Sequence, residues 1–440
     1  MTNFRFDLRP LGDDVQDDLR GLCITAGGTV LTRLLRLNGN APDDAVRVPA
    51  IPLGFWLADH WWRLRWECRP PNGFTPEWRQ AHDLGAIGNG HVWPRVTIWG
   101  EGDRVAVVSR ADPVGVASPV RFLQDALAFV PSGEFEAIID GALAAIGQIA
   151  SGADEPALAA LTYALSQERA DPVVSAWRRL EAISGFDPDE APESLIEHLL
   201  RLSERIGPAD VEEASAAMPG EGAAKALDAV LDAADACYSE VSFDRAIRAV
   251  AELPAAQRGE PWQLAEAAAR QVRAALNAGD NPLLNRRLGE LAGISPRLLG
   301  DRAGRSRFPY GVRRAVRRDL VLLHSRWGYD RRFELMRALG DAIWSANSPF
   351  GPISRAGTAR QKFQRAFAAS LLCPAAALQS FLGTDDPADE DISAAARHFH
   401  VADKVVRTIL VNKRMMDRTR LPLRPGEMQG NSIEGLADAA

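Results

Sequence analysis

The run from residue 132 to 257 constrains the fold most. It is built largely of alanine, leucine and acidic residues, interrupted at "GADEP", "GFDPDEAPE" and "IGPAD". Alanine and leucine are the strongest helix formers, and proline and glycine punctuate helices at their ends. This stretch therefore predicts a succession of helices and little else. In "DPDEAPESLIEHLLRL" a proline and acidic residues precede an apolar-periodic run, the usual start of a helix. The cluster Asp187, Asp189, Glu190 and Glu193 lacks the glycine and terminal glutamate of a calcium loop, so helix-start electrostatics is its expected role.

On either side the patterning changes. "RVTIWGEGDRVAVV" (95–108) alternates apolar and polar residues around a Gly-Glu-Gly-Asp turn and predicts a hairpin. "FWLADHWWRLRW" (55–66) repeats large apolar residues at helical spacing, and "VRFLQDALAFVP" (120–131) reads as a closing strand. Seven of the eleven tryptophans lie between Trp56 and Trp99, which predicts a tryptophan-rich core. "ELPAAQRGEP" (252–261) reads as a linker. Beyond it come a helix (262–277), a short helix ending at "AGISPR", a strand pair ("FPYGVRRAV" and "DLVLLHSRW") and the helix "RRFELMRALGDAIW" (331–344). Then "RQKFQRAFAASLLCP" is stopped by Pro374, and shorter helices follow at 376–383 and about 391–414. A chain of 440 residues is long enough for about two to four domains. The expected class is α+β and mostly helical: an α/β domain at 1–131, an acidic helical connector at 132–257, a third domain at 258–420, and a disordered tail at 421–440.

The N-terminal "MTNFRFDLRP" lacks the apolar core of a signal peptide, and no stretch approaches the length of a membrane span. Cys23, Cys68, Cys237 and Cys373 are widely separated and form no C-x-x-C pair, so free thiols and a cytoplasmic location are expected. The net charge of −7 argues against wholesale coating of nucleic acid. The charge is uneven: 22 acidic against 9 basic residues over 151–260, and 12 against 22 over 301–420. Only four of the 51 basic residues are lysine, a bias that fits a GC-rich bacterial genome and weakens arginine content as a sign of phosphate binding.

A zinc peptidase of the H-E-x-x-H type needs two histidines four apart on one helix face, with a glutamate between them as general base. None of the seven histidines meets that spacing. His398 and His400 are two apart, the residue four after His82 is Ala86, and His60, His91, His198 and His324 are isolated.

From about 260 to 415 the chain nevertheless resembles the ImmA/IrrE-type metallopeptidases, in order as well as spacing. "PWQLAEAAARQVRAALN...NRRLGELAGI" is similar to the family's entry helices, and "DRRFELMRALGDAIW" to its R-x-R-F-T-x-A-H-E-x-G-H helix. "FQRAFAASLLCP" resembles A-N-x-F-A-A-x-L-L-M-P, and "ISAAARHFHVADKVVRTILVN" the closing helix pair. The resemblance implies a zincin-like C-terminal domain. Carried over residue by residue, it puts the first zinc histidine at Arg337, the catalytic glutamate at Ala338 and the second histidine at Asp341. The further glutamate falls within 361–364, where Gln361 and Gln364 are the polar candidates. The framework positions Phe333, Leu339, Gly340, Phe367, Ala368, Leu371, Leu372 and Pro374 persist.

A guanidinium is always cationic and offers no lone pair, so these replacements work against a metal. The expectation is a chain with no catalytic residue, no metal and no cofactor at this place. Arg337 and Asp341, four apart on one face, would neutralise each other where the ion was lost. The implied function is that of a non-catalytic pseudo-peptidase: a regulatory, sensor or protein-interaction component with a protein partner, in stress response or phage defence. The alternative is a DNA-binding regulator. "ISAAARHFHVADKVVRTILVNKRMM" has a helix-turn-helix look, with Arg397, Lys404, Arg407, Lys413 and Arg414 as candidate phosphate contacts, and "RSRFPYGVRRAVRRDL" adds basic residues. An enzyme centred on His60, His82 or His91 would instead need a polar pocket among the tryptophans.

Overall fold

The computed structural model describes residues 4–11, 18–36, 41–70, 73–113, 119–233, 239–250, 260–301, 310–312, 319–344, 350–384 and 386–421. The described chain is α+β and mostly helical, with small sheets. It divides into two compact units, one ending at Glu197 and the other beginning at His198. The acidic helical run is thus not a body of its own: its first helices belong to the N-terminal unit and its later ones to the second. The tail and Cys237 lie outside the described residues.

In the N-terminal unit, Arg5–Pro10 and Leu19–Ala26 pair antiparallel, and Val46–Pro49 lies on the other side of Leu19–Ala26. The expected hairpin is present as Val96–Gly100 and Arg104–Ser109, extended by Ala126–Pro131. The segment read as one closing strand is two, because Val120–Phe122 pairs instead with Leu34–Arg36. The aromatic helix is also two pieces, Ala50–Asp59 and Trp61–Trp66, broken at His60. Trp56, Trp61, Trp62, Trp78, Trp93 and Trp99 are all buried. Helices Ser132–Gly147, Asp154–Ala170 and Pro172–Ile183 give Ile139, Ile146, Leu158, Leu165 and Ala182 to the same core, which is why they go with this unit.

The second unit is organised by three helices. Ala359–Leu372 packs along both Pro261–Ala275 and Gly328–Trp344. Phe363, Phe367, Leu371 and Leu372 share its core with Leu335, Leu339 and Val272. Gly340 allows the close approach: a Cβ there would stand 3.1 Å from the Phe367 ring. Thr358 caps Ala359–Leu372 by accepting from the Gln361 amide at 3.2 Å. The accompanying sheet is antiparallel throughout, in the order Ser239–Val241, Asp319–Leu322, Tyr310–Val312, Phe350–Pro352. Helix Pro208–Ala217 packs on the last of these strands. Asp389–Phe399 and Asp403–Asn412 close the unit, joined by a turn in which His400 is left-handed at φ 54°. No single helix among the described residues is long and apolar enough to cross a membrane.

A glycine in the hairpin provides a test of the N-terminal packing. A Cβ at Gly100 would stand 2.3 Å from the backbone oxygen of Arg65. Backbone cannot rotate away, so Gly100→Ala is expected to cost about 1–3 kcal/mol, the range for overpacking, in urea denaturation of the full chain.

Candidate functional site

Helix Gly328–Trp344 turns a polar face inward that its flanking apolar residues do not predict. Arg337 and Asp341 are buried on it, and opposite them Arg360, Gln361 and Gln364 are buried on Ala359–Leu372. Four of the five positions singled out in the sequence therefore meet in one place. The fifth, Ala338, is buried in the apolar core.

The expected Arg337–Asp341 pair is replaced by a different one. Asp341 takes a two-point contact from Arg360, Nε to Oδ1 at 2.7 Å and Nη2 to Oδ2 at 2.9 Å. The third guanidinium nitrogen of Arg360 donates to Asp210 at 2.6 Å. The physical reason is geometric: a planar guanidinium facing the carboxylate across the helix interface offers two parallel donors, a fit that outweighs sequence proximity. Burial works against the charge on Arg360, yet Asp341 and Asp210 together hold its pKa above the ordinary arginine value.

Arg337 is bonded to neutral acceptors. Its Nη2 donates to the Ser354 carbonyl at 2.6 Å, to Gln361 Oε1 at 2.7 Å and to Gln364 Oε1 at 3.2 Å. Burial, reinforced by the charge of Arg365, pushes its pKa down to about 9, which still leaves it protonated at neutral pH. Nε is buried without any partner. An unsatisfied buried donor costs about 1–3 kcal/mol.

Both glutamine amides are fully oriented. Gln361 Nε2 donates to the Pro352 carbonyl at 2.9 Å while its oxygen also accepts from the Ser354 amide at 3.0 Å. Gln364 Nε2 donates to Asp341 Oδ1 at 2.7 Å and to the Pro352 carbonyl at 3.0 Å. A glutamate at 364 would face two acceptors there, the Asp341 carboxylate and the Pro352 carbonyl.

Helix Pro208–Ala217 contributes two residues that sequence reasoning missed. Asp210 pairs with Arg360, and Glu213 accepts from the Thr358 hydroxyl at 2.8 Å. Burial pushes the Glu213 carboxyl up to about 7, against the charge of Arg360 and hydrogen bonds from Thr358 and Gln361. No residue spacing linked this helix to one that starts more than a hundred positions later. The one available signal was the acidic excess before 260 set against the basic excess after 301.

The other expected positions fall elsewhere. Arg407 Nη2 pairs with Asp389 at 3.1 Å, and Lys413 Nζ pairs with Glu266 at 2.7 Å above the Trp262 ring. Arg397, Lys404 and Arg414 are exposed, and Arg397 donates to the Ser393 carbonyl at 3.3 Å. The basic stretch 302–318 lies outside the described residues apart from 310–312.

In the N-terminal unit, His82 is buried between the Ile98 carbonyl at 2.6 Å and Glu67 at 2.9 Å. Arg63 joins Glu67 to Asp187, which meets His60 at 3.3 Å; His91 is exposed. Asp187 and Asp189 therefore pair with arginines of this unit, Asp187 with Arg63 and Asp189 with Arg178, while Glu193 lies in the first turn of helix Glu193–Ile206 as expected. Among the described residues no group of three or more His, Cys, Asp or Glu side chains is placed to hold a metal ion. Searches of protein-family models, curated proteins and solved structures found no match to this chain.

Two substitutions probe the site. Because the folded pKa of Glu213 lies above the unfolded value of 4.5, its contribution to stability is complete below about 4.5 and is lost as pH rises through about 7. Glu213→Gln lacks that loss, so its melting temperature relative to the parent chain should climb between pH 5 and pH 8. Gln364→Glu should lower the melting temperature at pH 7.5 by the equivalent of about 2–5 kcal/mol, since it places a carboxylate against Asp341 and the Pro352 carbonyl. A variant as stable as the parent would show that the amide is not needed.

Proposed function

We propose that this chain is a degenerate member of the ImmA/IrrE-type metallopeptidase group: a zincin-like scaffold in its C-terminal part that acts without catalysis. Its role would be that of a regulatory, sensor or interaction component in the cytoplasm, engaging a protein partner in stress response or phage defence. One observation carries this reading. The positions that would hold zinc and the general base by resemblance, Arg337, Asp341 and Gln361 or Gln364, are buried together and bonded to one another and to Arg360. A zinc ion would need neutral nitrogen or carboxylate donors with free lone pairs. Here the one carboxylate among those positions, Asp341, is committed to Arg360, and a second guanidinium lies alongside.

The regulatory role is carried over from the resemblance, because a preserved packing face with no chemistry leaves recognition as the use of the scaffold. The DNA-binding alternative draws on the helix pair Asp389–Phe399 and Asp403–Asn412. It is weakened by the ion pairs that Arg407 and Lys413 make within the chain.

Metal analysis of the purified full-length chain, with and without zinc added and then dialysed away, tests the reading. Zinc well below one equivalent in both samples is the expected result, together with no peptidase activity. One tightly held equivalent of zinc lost in an Asp341→Asn variant would overturn it. For the alternative, duplex binding that steepens as salt falls and weakens in Lys404→Ala would favour DNA.

A further inference from the structure

Among the described residues, the buried arginines of the second unit other than Arg337 each engage at least two guanidinium nitrogens, Arg331 through Nε and Nη1 on the Leu298 and Ser325 carbonyls. Arg273 uses Nε, Nη1 and Nη2 on the carbonyls of Gly279, Leu371 and Asn281. Arg332 uses all three nitrogens on His400, Asn285 and Leu283, and Arg360 uses all three on Asp341 and Asp210. Arg337 uses Nη2 alone, although only 8% of the residue is exposed. Its Nε is sealed off with no partner, while Nη1 is not among the sealed atoms and makes no hydrogen bond with the protein. No carboxylate hydrogen-bonds to it; Glu334 and Asp341 attract its charge from a distance, while Arg365 and Arg355 repel it. Arg355 is exposed, which places positive charge on the solvent side of the group.

From this geometry we infer that Arg337 binds a small oxyanion, phosphate or carboxylate, through Nη1, the one guanidinium nitrogen that is both open and unused by the protein. An anion would add counter-charge against the neighbouring arginines and accept the N–H groups of Nη1, both of which favour it in a partly desolvated site. Guanidinium is the side chain best matched to either oxyanion. Chloride has neither the directional acceptors nor the charge distribution to substitute equally. The inference rests on reading the pocket as free of metal.

The test is thermal unfolding of the full-length chain against increasing inorganic phosphate and, separately, acetate, each matched in ionic strength with sodium chloride. A saturable rise in melting temperature above the chloride control is expected for at least one anion, and comparison of the two arms identifies the group recognised. Arg337→Gln should abolish the response. Should that variant fail to fold, Arg355→Gln, an exposed substitution, should weaken the apparent affinity several-fold with the fold intact. Absence of a saturable shift with either anion, or an unchanged response in the variant that folds, would overturn the inference. Zinc content measured on the same sample separates the two ideas. A zinc-free protein without an anion response sinks the inference alone, whereas stoichiometric zinc sinks the metal-free reading beneath it.

Discussion

The arrangement of the second unit depends on the burial of Arg360 between Asp341 and Asp210. Removing three charged groups from water costs several kcal/mol each, and the loss is offset only when geometry and hydrogen bonding are close to complete. Completeness here requires three helices at fixed positions: Pro208–Ala217 for Asp210, Gly328–Trp344 for Asp341, and Ala359–Leu372 for Arg360. Strand Phe350–Pro352 is tied in as well, because the Pro352 carbonyl accepts from both glutamines that orient the remaining acceptors. The polar network therefore sets which helix faces which, while the apolar contacts of Phe363, Phe367 and Leu339 supply most of the favourable burial.

Arginine in this chain is chiefly a structural element. Arg273, Arg331 and Arg332 reach backbone carbonyls at loop and helix ends, and Arg63 and Arg178 bind carboxylates inside the N-terminal unit. A guanidinium spans several acceptors at once, so it can satisfy carbonyls that would otherwise be buried unpaired. A basic excess between 301 and 420 then says less about nucleic acid than its magnitude suggests. Part of it is consumed within the fold, as Arg360, Arg407 and Lys413 illustrate.

What the sequence revealed followed periodicity. The hairpin around Gly100–Asp103, the helix containing Arg337 and the helix ending before Pro374 are local patterns, and each is present close to its expected bounds. The meeting of Arg337, Asp341, Gln361 and Gln364 was legible too, but only through a resemblance that aligned the two helices. Pairing within that meeting was not. Helical spacing places Arg337 beside Asp341, yet the choice of Arg360 depends on how two helices face each other, which no single-chain spacing encodes. Asp210 and Glu213 were further out of reach, since the acidic helices read as one body are divided between two units by long-range packing. Likewise, Val120–Phe122 and Ala126–Pro131 look like one strand until their partners, Leu34–Arg36 and Arg104–Ser109, are known.

Under the proposed zincin resemblance, the Asp341–Arg360 ion pair stands at the position of a metal, and a double-mutant cycle on the two residues measures their dependence directly. Asp341→Asn, Arg360→Met and the combined variant would be compared with the parent chain by urea denaturation at pH 7.5. Strong non-additivity is predicted, with a coupling of about 2–3 kcal/mol and the double variant less damaged than the sum of the single ones. Effects that add to within about 0.5 kcal/mol would mean that the two residues do not depend on each other, and would contradict the account.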